Sequence, residues 1–436
     1  MTAHRFLERI AEAELAVPYG EVRRVLPGRM EASGPMAAVG DLCRVGASGQ
    51  LAEVAAVGED GLVLVPVEDG APVPIGARVL PAPHGGQTGV GDGYGGRAID
   101  ALGRPLDGGS AIRATEYRPA RGVTPGMLER TAPDTVLETG IRAIDALLTL
   151  GKGQRIGIFA ASGVGKTSLV EQLVAQVSAT RHVLCLVGER GREVEGFWRA
   201  LSGRRDADRC TLVAATSDES AAMRARCVST ALCLAEYWRD RGEHVLLVID
   251  SVTRLAMALR EIGLAAGEPP TVRAYTPNVF AALPRIVERC GAVRSGGAIT
   301  AVMTVLSETD EVDDPIVETM KSLLDGHILL SRGLADQGHF PAIDVTRSIS
   351  RQAARLVTRD HAAAARTVAG QAATYDEARV MIQSGIYQTG TSAAIDAAMA
   401  GREALNAFLR QGQDERSAIA ETIRRLSLLG RGGRHG

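Results

Sequence analysis

Residues 155–177, RIGIFAASGVGKTSLVEQLVAQV, restrict what this chain can fold into more than any other stretch. Arg155, Ile156, Gly157, Ile158 and Phe159 read as a short buried strand bounded by turn formers. Small residues fill 160–165. Leu169, Val170, Leu173, Val174 and Val177 then recur at helical spacing, so the loop opens directly into a helix. A strand, a glycine-rich loop and a helix entered through Gly165-Lys166-Thr167 form a phosphate-binding loop in its proper context. Successive backbone N–H groups there make a concave nest, and the helix N-terminus adds positive potential. Ala161, Ser162, Gly163, Val164, Gly165, Lys166, Thr167 and Ser168 are therefore the candidate nucleotide-binding residues. Lys166 is expected to reach the β- and γ-phosphates, and Thr167 to place its hydroxyl on Mg²⁺. Ala160 stands where the general pattern has its first glycine. The bland alternative is a chance Gly-Lys-Thr on a turn, and the strand before it and the helix after it weigh against that.

At 436 residues the chain is long enough for two or three domains. Lys and Arg number 49 against 51 Asp and Glu, which gives a formal net charge of −2. Such balance leaves no electrostatic footprint for bulk nucleic-acid binding, and no nucleic-acid partner is expected. No apolar run approaches the length of a membrane span. The first twenty residues break their apolar pattern with Arg5, Glu8, Arg9, Glu12 and Glu14, unlike a secretory signal. The cysteines at 43, 185, 210, 227, 233 and 290 form no CxxC, and the eight histidines show no ligand-like pairing with them. They read as small buried hydrophobes in a reducing compartment.

Residues 4–15 place Phe6, Leu7, Ile10 and Leu15 among charges, as a short amphipathic helix. It is either a loosely packed cap or a docking helix for a partner or membrane surface. From about 20 to 83, short apolar runs such as 50–57 and 62–67 are separated by glycine and acidic turns. That texture implies a small β-barrel or sandwich. Residues 81–86 suit a linker, and GRAIDALGRPLDGG reads as a strand running into turns. Beyond the phosphate loop, strands are expected at 183–187, 211–215, 244–250, 299–305 and 328–330, with a helix over 219–238. Near-continuous apolar strands between helices imply an α/β core with a mostly parallel sheet covered on both faces. After Arg351 strands give way to Ala-, Arg-, Glu- and Leu-rich helices over 353–428, and 430–436 reads as a disordered tail. The expected division is 1–19, an amphipathic segment; 20–88, a barrel; 89–355, an ATP-binding core; and 356–436, a helical domain.

Asp250 closes an apolar strand, where a carboxylate can hold Mg²⁺ directly or through water. Alone it would be a turn residue or helix cap; with a phosphate loop in the same sheet the metal role is favoured. Glu189 also ends a strand, at the crevice where ligands of parallel sheets bind. It either activates the attacking water or is a solvated loop residue paired to Arg190 or Arg192.

These residues sit in a wider set of motifs. The set comprises GRAIDALGRPLDG (96–108), LETGIRAIDALLTLGKGQRIGIFAASGVGKTSL (137–169), VGERGREVEGF (187–197), LLVIDSVTRLAMALREIGLAAGEPP (246–270), YTPNVFAALPRIVERCG (275–291), LLDGHILLSRGLADQGHFPAIDVTRSISR (323–351) and SGIYQTG (384–390). From about residue 20 to the C-terminal helices, the chain resembles the type III protein-export ATPases, flagellar or virulence-associated, relatives of the catalytic subunits of rotary ATP synthase. The resemblance implies a RecA-like P-loop core, preceded by a small β-barrel and followed by helices. It implies ATP and Mg²⁺, held by Lys166, Thr167 and Asp250, with Glu189 as the catalytic carboxylate. Arg190 and Arg254 fall in its active-site segments, and Arg351 matches an arginine finger supplied in trans. Phe340 takes the place of the usual Tyr that packs on adenine, and Tyr387 is the next candidate for that platform. Ala161 replaces a glycine common at its position. A left-handed backbone there would cost alanine ~1–2 kcal/mol.

The resemblance further implies a homo-hexamer with a central coiled-coil stalk, a peripheral regulator or stator, an export gate, and export substrates with their chaperones. It places such a ring in the cytoplasm, peripheral at the cytoplasmic face of the inner membrane. Residues 267–270 belong to the segment facing the central channel. The rivals are a rotary or vacuolar-type catalytic subunit, an RNA-translocating ring, and a ring scaffold with a purely structural nucleotide site. The texture of the chain favours flagellar over virulence export.

Overall fold

The computed structural model describes residues 17–432, apart from 69, 71 and 308–313. The helix expected at 4–15 lies outside the described residues. Six strands, Gly20–Leu26, Arg29–Ala32, Leu42–Val45, Gln50–Gly58, Gly61–Pro66 and Arg78–Pro81, close into a barrel. Alternating residues point inward, and Val22, Met30, Val54, Leu64 and Val79 form its interior. The Gln50–Gly58 and Gly61–Pro66 hairpin turns on Gly61, whose φ is +125°. A Cβ there would stand 2.0 Å from the carbonyl oxygen of Ala32, so both conformation and space demand glycine. The expected boundary at 88/89 falls inside a strand, Gln87–Val90, that pairs with Glu116–Pro119.

The central sheet runs Ile343–Ser350, Gly326–Leu330, Arg155–Ala160, Ala298–Leu306, His244–Asp250, Arg181–Glu189, Cys210–Thr216 and Ala98–Ile99. The strands from Gly326–Leu330 to Ala98–Ile99 pair in parallel, and Ile343–Ser350 is antiparallel at one edge. Apolar layers cover both faces. On one, the helix Ala221–Arg239 buries Cys227, Leu234 and Trp238. On the other, the helix Lys166–Gln176 buries Leu169, Val170 and Leu173. Each fully buried Leu contributes ~1.5–3 kcal/mol, so the phosphate-loop helix is anchored by the same residues that made it legible.

The C-terminal helices Arg359–Gln383, Ala393–Leu409 and Ile419–Gly432 pack below this second face. The last helix carries through Gly430 to Gly432, so the expected tail begins later than residue 430. Arg142, nearly buried, ties this unit to the core. Its Nε donates to the carbonyl of Phe408 at 2.7 Å, and its backbone N–H donates to Gln411 Oε1 at 2.8 Å. All six cysteines are buried and free.

Candidate active site

The parallel register brings three strand ends together. Arg155–Ala160 and His244–Asp250 flank Ala298–Leu306 on opposite sides, and Arg181–Glu189 lies beyond His244–Asp250. All run in one direction, so the phosphate loop, Asp250 and Glu189 share the carboxyl end of the sheet, as parallel α/β sites do. Gly165 ends the loop with φ +91°, and Gly163 has φ +80°. Ala161 is absent from the residues with positive φ, so its side chain costs nothing in backbone strain.

Lys166 opens the helix, and its Nζ donates to Asp250 Oδ1. The same oxygen accepts from the Thr304 hydroxyl at 2.6 Å. Glu189, 4% exposed, stands with Oε1 3.8 Å from Lys166 Nζ. Its Oε2 accepts from Arg254 Nη2 at 3.1 Å, while Arg254 Nη1 donates to the Gly188 carbonyl. Arg254 thus fixes both the carboxylate and the backbone that carries it. The Ser251 side chain caps the following helix at Arg254 N, which sets where that guanidinium emerges. Two cations and two carboxylates balance locally. Burial, with the charge of Asp250 next, raises the Glu189 carboxyl to about 6; Lys166 and Arg254 pull the other way.

Phe340 meets this group from the opposite edge. Its ring is 3.3 Å from where a Cβ on Gly165 would sit, and the residue is 45% exposed. The Phe340 carbonyl accepts from Gln411 N at 2.8 Å, so the C-terminal unit holds the aromatic beside the loop. Arg190 occupies the N-cap position of the helix Gly191–Ser202 without a side-chain capping bond and is exposed next to Glu189.

Arg351 is elsewhere. Its backbone N–H donates to the Asp325 carbonyl at 2.9 Å, and Asp325 binds Arg155 at the start of the phosphate-loop strand. Arg351 therefore lies at the amino end of the sheet, a strand length of roughly 17–20 Å from its own phosphate loop. Its guanidinium is exposed and donates to the Lys321 carbonyl at 3.0 Å.

Residues 140–350 match the model of the ATP synthase alpha/beta family, nucleotide-binding domain, and residues 357–427 match that of the T3SS EscN ATPase C-terminal domain. The flagellum-specific ATP synthase of Bacillus subtilis is 44% identical over 421 residues, spanning 94% of this chain and 95% of the relative. The chain belongs to the type III export ATPases. It is an ATPase of the ATP synthase alpha/beta family. The type 3 secretion system ATPase of Xanthomonas euvesicatoria is 40% identical over 430 residues, spanning 97% of each. The assembled ATPase EscN of the enteropathogenic E. coli type III secretion system superposes with TM-score 0.89 at 40% identity, covering 94% of this chain and 100% of that one. EscN in complex with its central stalk EscO gives TM-score 0.86 at 38% identity, with the same coverage.

Two expectations about this ATPase need correction. Tyr387 is not brought to the loop. It stands in the connection between Arg359–Gln383 and Ala393–Leu409, its hydroxyl bonded to the Ser392 carbonyl and Asp396, each at 3.0 Å. The histidines are not all remote from the cysteines either. His182 pairs in register with Cys210, and with Asp206 their ligand atoms come within 4.8 Å of one another. Arg204 grips both Asp206 oxygens, at 2.8 and 2.9 Å, and supplies the positive charge there.

Sequence reasoning missed Thr304 and Gln411. Thr304 is fully buried; the available signal was a hydroxyl inside the apolar run ITAVMTVL. Gln411 carried no local signal.

Proposed function

We propose that this chain hydrolyses ATP in a ring of identical subunits, a homo-hexamer, in which each site is completed by a neighbour's Arg351, and that the ring energises type III protein export, flagellar in preference to virulence-associated. The observation that carries the reading is the position of Arg351. An exposed guanidinium at the amino end of the sheet cannot reach a phosphate loop at the carboxyl end of the same subunit. It can reach one presented by a neighbour.

The geometry supports the following roles. Lys166 neutralises the β- and γ-phosphates, and the nest 161–168 binds them through backbone N–H groups. Phe340 supplies the adenine face, with Arg190 and Arg254 lining the phosphate side. Buried Asp250 and the Thr167 hydroxyl are hard oxygen donors that fit Mg²⁺. Thr304 holds the Asp250 carboxylate in place, which is the orientation such a site requires. Bound there, Mg²⁺ supplies charge neutralisation during phosphoryl transfer. Glu189, oriented by Arg254, accepts the proton of the attacking water. Arg351 from the neighbour meets the charge that develops as the terminal phosphoryl group departs.

The likeness to assembled EscN, and to EscN with its central stalk, supports a ring with a stalk partner. A peripheral regulator, export gate, substrates, chaperones and a station at the cytoplasmic face of the inner membrane belong to the same reading. No helix among the described residues is long and apolar enough to cross a membrane, which suits peripheral attachment.

The test mixes inactive Arg351→Ala with inactive Lys166→Ala. A mixed ring holds interfaces with an intact loop from the first variant and an intact finger from the second, and some turnover should return. Arg351→Ala alone should bind ATP normally and lose ~10³–10⁵ in rate. Full activity from a proven monomer, independent of protein concentration, would sink the trans assignment.

A further inference from the structure

The segment 122–129 is ordered yet turns its apolar residues outward. Val123 is 71% exposed, Met127 91% and Leu128 84%. The loop is pinned from several sides. Gly122 N donates to the Pro119 carbonyl at 2.8 Å, and Gly126 N to Glu129 Oε2 at 2.7 Å. Arg130 Nε donates to the Pro125 carbonyl at 3.2 Å, and Arg294 Nε to that of Leu128 at 2.7 Å. A loop held this firmly with its large side chains in solvent has the character of a contact surface.

Its place in the fold says which contact. Arg130, at the end of the loop, pairs with Glu288. Glu288 binds Arg155 at 2.9 Å, Arg155 binds Asp325 at 3.0 Å, and the Asp325 carbonyl accepts from Arg351 N at 2.9 Å. This line of ion pairs ends at Asp325, at the amino end of the sheet, and a backbone hydrogen bond joins it to Arg351. Beside Arg351 the edge strand exposes a further apolar side chain, Ile349, at 46%. Loop and finger are thus linked through three ion pairs and one backbone hydrogen bond.

We propose that Val123, Met127 and Leu128 are the apolar seat of the subunit–subunit contact, docking a second copy of this chain on the face that presents Arg351. The inference rests on the ring reading above and adds to it the surface that holds the ring together. Arg351 provides charge to the neighbour's site, and the loop provides the desolvated contact that keeps it there. Apolar anchors at the centre of a contact, with charges toward its rim, are how such interfaces divide the work.

The experiment compares the full-length wild type with Met127→Asp/Leu128→Asp. It measures particle mass by sedimentation, affinity for a fluorescent ATP analogue, and specific activity against protein concentration. The variant should bind the analogue as the wild type does, remain monomeric where the wild type assembles, and need roughly tenfold or more protein for half-maximal specific activity, as loss of an interface anchor implies. If loss of analogue binding shows misfolding, Met127→Gln/Leu128→Gln takes its place with the same expectation. Wild-type assembly and activity curves in a variant that binds the analogue would overturn the inference and leave the ring reading standing. A wild type that is monomeric and fully active at every concentration would overturn both. Unchanged assembly with lost binding to anionic phospholipid vesicles would assign the loop to a membrane surface and overturn the proposal.

Discussion

Lys166 and Asp250 are separated by 84 positions, yet the ammonium of one donates to the carboxylate of the other at the carboxyl end of the sheet. The pair holds two opposite charges together at the start of the helix that follows the loop. Under the proposed function, a triphosphate entering the loop would compete with Asp250 for Lys166, and Asp250 and Thr167 would hold the cation that offsets the loss.

Lys166→Ala should abolish hydrolysis and weaken nucleotide binding roughly 10- to 100-fold, the worth of a charge-assisted contact. Titration with a fluorescent ATP analogue and phosphate release check this. Unchanged affinity would remove Lys166 from the phosphate site.

Glu189→Gln should keep ATP binding and stop turnover, because the amide preserves shape but cannot accept the proton. In the wild type, turnover should fall tenfold per pH unit below about 6, where Glu189 becomes protonated. A flat profile from pH 7 to 5 would remove it as the base.

Stability carries the same signature with a defined sign. The folded Glu189 carboxyl is raised to about 6, above its ordinary unfolded value. Its contribution is therefore fully present below about 4.5 and is lost as pH rises through about 6. Without nucleotide, Glu189→Gln should be more stable than wild type at pH 7.5 by on the order of 1–2 kcal/mol. The gap should close by about pH 4.5. Thermal melts across that range test it, and a gap that widens on acidification would reverse the assignment.

Thr304→Val keeps volume and removes the hydroxyl that orients Asp250. Turnover should fall roughly tenfold, the worth of a hydrogen bond to a charged group, and the Mg²⁺ concentration for half-activation should rise. Affinity for the ATP analogue without Mg²⁺ should stay as in wild type. An unchanged Mg²⁺ dependence would make Thr304 a core residue only.

Phe340→Ala should raise the KM for ATP roughly tenfold with a smaller change in kcat, since base stacking on an aromatic contributes ~1–3 kcal/mol. Phe340→Tyr should restore it. If KM stays fixed in the alanine variant, the adenine platform lies elsewhere.

Much of the site was legible in local pattern. Gly165-Lys166-Thr167 between a strand and a helix, and Asp250 and Glu189 at the ends of apolar runs, needed only the periodicities of a strand and a helix. The strand at 244–250 appears with the same limits, and the barrel hairpin at 50–66 closes on the glycine-bearing turn its spacing implied. The strand read in GRAIDALGRPLDGG is there, shortened to Ala98–Ile99, whereas Arg29–Ala32 carried too few residues for a pattern and formed because a neighbouring strand accepts it.

The sequence by itself determined the phosphate loop, the strand-end carboxylates and the alternation that builds a parallel sheet, because each is set by neighbours within a few residues. Tertiary structure alone decided the rest. Register placed Thr304 on Asp250 and His182 beside Cys210. The C-terminal unit brought Gln411 to the Phe340 carbonyl. Strand direction put Arg351 at the far end of the sheet from Lys166. Those relations depend on which strands pair and which way they run. No local periodicity encodes that; it is fixed by burying both faces of one sheet at once.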